Sequence, residues 1–145
     1  MSQTLDLSLK RKGNSNIYVC LCWYSTSWAR ELDTEGIFPY TEEKKLLKIS
    51  DLDQIINSLK EKIEEITSYR KKAVESSVTY STLIEKCTSK EAVQELIDHI
   101  NDCKDSIKSW DEDIKDWKEV MQTVQFVRSV ADENISDWDL YYYNC

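Results

Sequence analysis

Glycine and proline are nearly missing from this chain: Gly13, Gly36 and Pro39 are the only ones among 145 residues. That excludes collagen-like, glycine-linker and proline-rich classes and leaves too little turn chemistry for a many-stranded sandwich. With its two glycines so far apart, the chain writes neither a P-loop nor a dinucleotide-type phosphate cradle. A single histidine, His99, leaves Ser-His-Asp and Cys-His catalysis only one residue to use. No stretch of about 18 apolar residues occurs, and the residues after Met1 carry no apolar signal-like run, so neither membrane spanning nor secretion is expected. Basic residues are in deficit, 19 against 27 acidic ones, and the resulting charge of −8 repels nucleic acids and anionic membranes. Five cysteines, Cys20, Cys22, Cys87, Cys103 and Cys145, are an odd number without framework spacing, which suits a reducing cytosol.

What is present is regular structure. The 41% hydrophobic content suffices for one core, so residues 1–145 are expected to form a single domain. Leu5, Leu7 and Leu9 alternate with polar neighbours, the period of a strand with one buried face. Lys12 to Asn16 supplies a turn, and Ile17 to Tyr24 reads as a second strand, central in the sheet because both of its faces are apolar. Ser25 to Tyr40 reads as an ordered connection, and Thr41 as the cap of a short helix ending near Ile49. From Ser50 onward a seam at alternating four- and three-residue steps runs through Leu52, Ile56, Leu59, Ile63, Ile66, Arg70, Ala73, Ser77, Tyr80, Ile84 and Cys87. Thr88 to Glu91 reads as a capping box, after which a second seam runs from Val93 to Ala131. A turn at Ser89 sets residue i near residue 178 minus i and makes the helices antiparallel. Trp138 to Tyr143 is a final strand. The expected fold is α+β: a long antiparallel two-helix coiled-coil hairpin (50–131), capped at its open end by a small antiparallel β-sheet formed from the N-terminal hairpin (in 1–49) and the C-terminal strand (in 132–145).

Candidate chemistry is sparse. Glu95, His99 and Cys103 share a helix face, but residues eight apart lie about 12 Å apart along a helix, too far for one ion. Cys20 and Cys22 are placed on one strand face with no second pair, so no metal site and no cofactor is expected. Arg70, alone among charged residues in the first seam, is expected to pair with Asp105 across the helices. Asp111, Glu112, Asp113, Asp116 and Glu119 form the densest acidic run, which Asp102 and Asp105 extend; it is either a solvated face or a patch that docks a basic groove. Three successive tyrosines cannot all face inward on a strand, so either Tyr141 and Tyr143 or Tyr142 must be presented outward, and Tyr141 and Tyr143 are taken as contact residues with Trp28 and Arg30.

No family is recognisable from these motifs. In general style, a compact, acidic chain with abundant Trp and Cys and no enzyme motif, it resembles the small accessory proteins that phages make to block host or defence proteins. That resemblance implies stoichiometric inhibition of a larger complex. The sequence therefore points to a non-enzymatic protein-interaction module in the cytoplasm, with an unidentified protein partner or a homodimer along the helical shaft. The alternative is a small-ligand or nucleotide sponge or sensor with an aromatic pocket between cap and helices.

Overall fold

The structure is a computed structural model and describes residues 2–145. The alternation of Leu5, Leu7 and Leu9 produces strand β1 (Leu5–Arg11), in which these three side chains are all but sealed from water. Each contributes about 1.5–3 kcal/mol by leaving it. Gly13 takes φ +79, the left-handed conformation that a two-residue turn between Arg11 and Asn14 requires. Strand β2 (Asn14–Tyr24) follows, antiparallel to β1. The order in the sheet is β2-β1-β4-β3, where β3 is Lys45–Leu47 and β4 is Trp138–Asn144. The two central strands are thus the chain's first and last: β4 pairs with β1 without a register break from Leu5↔Asn144 to Arg11↔Trp138.

Three expectations about this region need correction. β2 is an edge strand, and Ile17, Tyr18, Val19 and Trp23 are exposed. Its register also shifts between Leu7 and Ser8, which sets Cys22 opposite Leu7 and Cys20 opposite Ser8. Leu7 and Ser8 lie on opposite faces of β1, so the two thiols do not share one. The stretch read as a short helix from Thr41 contains β3 instead, because Lys45, Leu46 and Leu47 pair with Tyr142, Tyr141 and Leu140 of β4.

The connection after β2 holds a helix, α1 (Thr26–Thr34), which buries Ala29 and Leu32. It ends in a Schellman motif: the Ile37 N–H donates to Leu32 O (3.0 Å) and the Gly36 N–H to Asp33 O (2.9 Å), with Gly36 at φ +70. Phe38 and Tyr142 then meet edge to face at 5.4 Å. Asn144, wholly buried, binds this layer to the sheet. Its Nδ2 donates to Ala29 O (2.9 Å) and Phe38 O (2.7 Å), while its Oδ1 accepts from Gln3 Nε2 (2.9 Å).

Helices α2 (Ile49–Ile84) and α3 (Lys90–Glu133) follow the seams with shifted caps. At the start of α2 it is Asp51, not Ser50, that caps, its Oδ2 accepting from the Lys48 N–H at 2.8 Å. At α3 the cap is Ser89, not Thr88: its Oγ accepts from the Ala92 N–H at 3.3 Å. The chain divides into two compact units, residues 1–59 with 120–145, and residues 60–119, so α2 and α3 each contribute to both. In the first unit the sheet, α1 and Phe38 share a core with Leu52, Ile56 and Leu59 of α2 and with Val120, Val124, Val127 and Ala131 of α3. In the second unit Tyr69 meets Trp110 (5.4 Å between rings) and Tyr80 stacks on His99 (5.2 Å), so the helices there run antiparallel.

Candidate functional site

The acidic residues singled out from the sequence all belong to the second unit. Asp102, Asp105, Asp111, Glu112, Asp116 and Glu119 are exposed and Asp113 is half-buried, so they form a solvated helix surface rather than a cleft. From Lys90 to Glu119 there are ten carboxylates against five lysines. Arg70 does cross to α3, but its Nε donates to Asp111 Oδ1 at 2.5 Å and not to Asp105. The pairings Tyr69 with Trp110 and Tyr80 with His99 put the fold axis half a residue beyond the expected one, and the long guanidinium reaches the remaining turn.

The apolar side of this unit is thinly covered. Ile63, Ile66 and Trp117 are buried, but among the described residues from Thr67 to Asp116 none is. Val78, Leu83, Ile97 and Tyr69 stand exposed there, Val78 at 61%. Two facing helices bury only the strip between them, so apolar side chains one position off the seam keep their contact with water.

A second candidate lies in the first unit, on the outer face of the sheet. Alternation along β1 and β4 sends Leu5, Leu7, Leu9, Leu140, Tyr142 and Asn144 inward, and Asp6, Ser8, Lys10, Tyr141 and Tyr143 outward. Of these, Asp6, Ser8, Tyr141 and Tyr143 frame a cleft of about 270 Å³ together with Tyr18, Cys20 and Lys44, and Lys10 adjoins it through its contact with Tyr141. The Lys10 ammonium stands 5.3 Å from the centroid of the Tyr141 ring, and that of Lys44 stands 5.8 Å from Tyr18. Loss of hydration, followed by the charge of Lys44, holds the Lys10 pKa below its ordinary value. Nearby in sequence to Tyr143, the Cys145 thiol donates to the Tyr40 hydroxyl at 3.3 Å, and hydrogen bonding with Tyr143 and with Tyr40 pulls its pKa down. Burial pushes the Cys22 thiol the other way, to about 11.

The expected outward display of Tyr141 and Tyr143 is therefore present, with Tyr142 buried between them. Trp28 and Arg30 do not line that cleft; Trp28 sits on α1 beside Tyr24, with ring centroids 6.4 Å apart. Between sheet and helix ends lies a mostly aliphatic cleft of about 320 Å³, lined by Leu46, Leu47, Ile49, Ala131, Ile135 and Trp138 among others. Lys10, Tyr18 and Lys44 were not singled out from the sequence. Their convergence depends on strand order, which no local pattern encodes.

Among the described residues no group of three or more His, Cys, Asp or Glu is placed to hold a metal ion. His99 is spent on the Tyr80 ring, with its Nε2 3.8 Å from Glu95. Among the described residues no helix is long and apolar enough to cross a membrane. In comparison with known proteins, no family model matches the chain, and no curated protein or solved structure is significantly similar to it.

Proposed function

We propose that this chain is a non-enzymatic protein-interaction module whose second unit accepts an amphipathic helix from a partner protein. One observation carries the reading: fifty consecutive residues, Thr67 to Asp116, comprise two helical stretches and the turn between them, and none of them is buried. Exposed Val78, Leu83 and Ile97 are the kind of surface that a third helix covers in helix-in-groove recognition. The acidic excess along Lys90 to Glu119 calls for basic residues flanking the partner's apolar stripe. Stoichiometric inhibition of a larger host or defence complex in the cytoplasm, as in the phage accessory proteins this chain resembles in style, is a use such a surface serves.

The test is affinity capture from the native host by the wild-type chain and by a Val78→Asp/Ile97→Asp variant, with circular dichroism as the folding control. A partner held by the wild type, released by raised salt and lost from the folded variant supports the reading. A monodisperse monomer that holds no partner, or a partner held equally by both chains, overturns it. A dimer seen by light scattering and abolished by the same substitutions would make a second copy the occupant.

A second reading, a small-ligand sponge or sensor, is favoured by the tyrosine- and lysine-lined cleft on the sheet. Native mass spectrometry of the freshly isolated chain distinguishes the two, because a sponge carries a metabolite.

A further inference from the structure

The outer-face cleft has a construction that a plain solvated sheet face does not need. Lys44 precedes β3, at one edge of the sheet, yet its ammonium lies against Tyr18 of β2, at the opposite edge, so the two side chains reach towards each other across the outer face. Lys10 rises from central β1 and stands over Tyr141 of β4. Both ammoniums lie against aromatic rings, and among the described residues neither is paired with a carboxylate. The two register breaks of the β1–β2 pair fall on either side of the stretch Tyr18 to Cys20, which delivers two of the residues lining the cleft. Bulges of this kind re-aim side chains beside binding sites.

We propose that this cleft binds a nucleoside monophosphate, the phosphate held by Lys10 and Lys44 and the base stacked on the rings of Tyr18 and Tyr141. The inference rests on the small-ligand reading and names its ligand class. Two like charges kept close together are stabilised by an anion that lies against both, and Lys is a point-charge binder suited to phosphate. Aromatic side chains offer stacking that every base can use. The volume of about 270 Å³ lies just under the roughly 300–1,000 Å³ typical of pockets for drug-sized ligands, which limits the guest to one base with its sugar and phosphate. Asp6 and Ser8 at the floor present acceptor and donor groups to the sugar hydroxyls or to an exocyclic amine.

Calorimetric titration of the full chain with AMP and CMP, with the matching nucleosides, and with inorganic phosphate tests this. The expected result is nucleotide binding at least tenfold tighter than either nucleoside or phosphate, weakened at least tenfold by Lys10→Ala and by Lys44→Ala and also by Tyr18→Ala. Lys86→Ala, in the second unit, should leave it unchanged. These cleft residues are exposed or half-exposed, so the variants are expected to fold, and circular dichroism checks this. Nucleosides binding as tightly as nucleotides, with loss only in Tyr18→Ala, would overturn the phosphate assignment and leave the small-ligand reading standing. Phosphate alone binding as tightly as nucleotide, or nucleotide binding indifferent to the three substitutions, would overturn the proposed site. The absence of binding by any probe, together with no metabolite in native mass spectrometry, would overturn both.

Discussion

The two units of this protein are built from the same pair of helices and differ in what those helices are given to bury. In the first, Leu52, Ile56, Val124 and Val127 meet a sheet and the layer of α1 and Phe38, and most of these side chains are fully enclosed. In the second, each helix has only the other, and enclosure stops at Ile63, Ile66 and Trp117. A heptad-like seam therefore sets direction and register equally well in both places but supplies a closed core only where a further layer is added. Stability is expected to concentrate in the first unit, leaving the second to offer surface.

The sharpest way to break this contrast is to truncate one side chain in each unit. Leu7→Ala removes a fully buried side chain between the sheet and its covering layer and should cost about 2–5 kcal/mol in urea unfolding. Ile97→Ala, at a position 38% exposed, should stay within about 0.5 kcal/mol. Comparable losses at the two positions would mean that the second unit has a core of its own under solution conditions.

A smaller but more specific effect is expected at Asn144. Replacing it with Ala strips Ala29 O and Phe38 O of this donor and Gln3 of its nearer acceptor, inside the layer of α1 and Phe38. Unsatisfied buried groups cost about 1–3 kcal/mol each, so Asn144→Ala should lower the unfolding midpoint clearly, though by less than the separate deficits added together, because water can reach part of the opened site. Asn144→Asp separates shape from hydrogen bonding: it keeps the volume but cannot donate, and it should be no better than the Ala variant. Wild-type stability in either variant would remove Asn144 as the element tying α1 to β4.

What could be read from the sequence follows the same division. The helical seams and the buried row of β1 were legible because a fixed period needs no knowledge of what lies across from it. The edge position of β2 was not, since Ile17, Val19 and Trp23 suggest burial that the sheet order denies them. For Lys45 to Leu47, helix-like charge ordering after Thr41 lost to pairing with β4, a tertiary demand that overrides local propensity. Strand alternation alone required that Tyr142 and its two neighbours face opposite ways; that Tyr142 is the buried one is set by its place over Phe38. Lys10, Tyr18 and Lys44 come from three separate segments, and no spacing rule joins them. Asn144 carries no sequence signal either, being a polar residue next to the end of the chain whose partners are backbone carbonyls 115 and 106 residues away.

The smallest expected effect concerns two ion pairs that cross between α2 and α3, one taken from each unit. In the first, Arg128 Nε donates to Asp53 Oδ1 at 2.5 Å and its Nη2 reaches Oδ2 at 3.4 Å, a two-point grip; in the second, the contact between Arg70 and Asp111 rests on Nε alone. The hydrogen bond from Arg128, reinforced by its charge against some loss of hydration, holds the Asp53 carboxyl below the usual carboxylate range. Because the folded pKa is the lower one, the stabilisation is present above the unfolded value of about 3.9 and is lost as pH falls through the folded value. Arg128→Ala should therefore lower the urea midpoint slightly at pH 7, and the gap to wild type should close below about pH 4 as the carboxyl takes up its proton in both chains. Arg70→Ala should shift the pH 7 midpoint less, since its partner is gripped at one point and both side chains stand more open to water and salt. A gap for Arg128→Ala that persists unchanged in acid would assign its role to the packing of its aliphatic stem along α2, and the two units would then differ in burial alone.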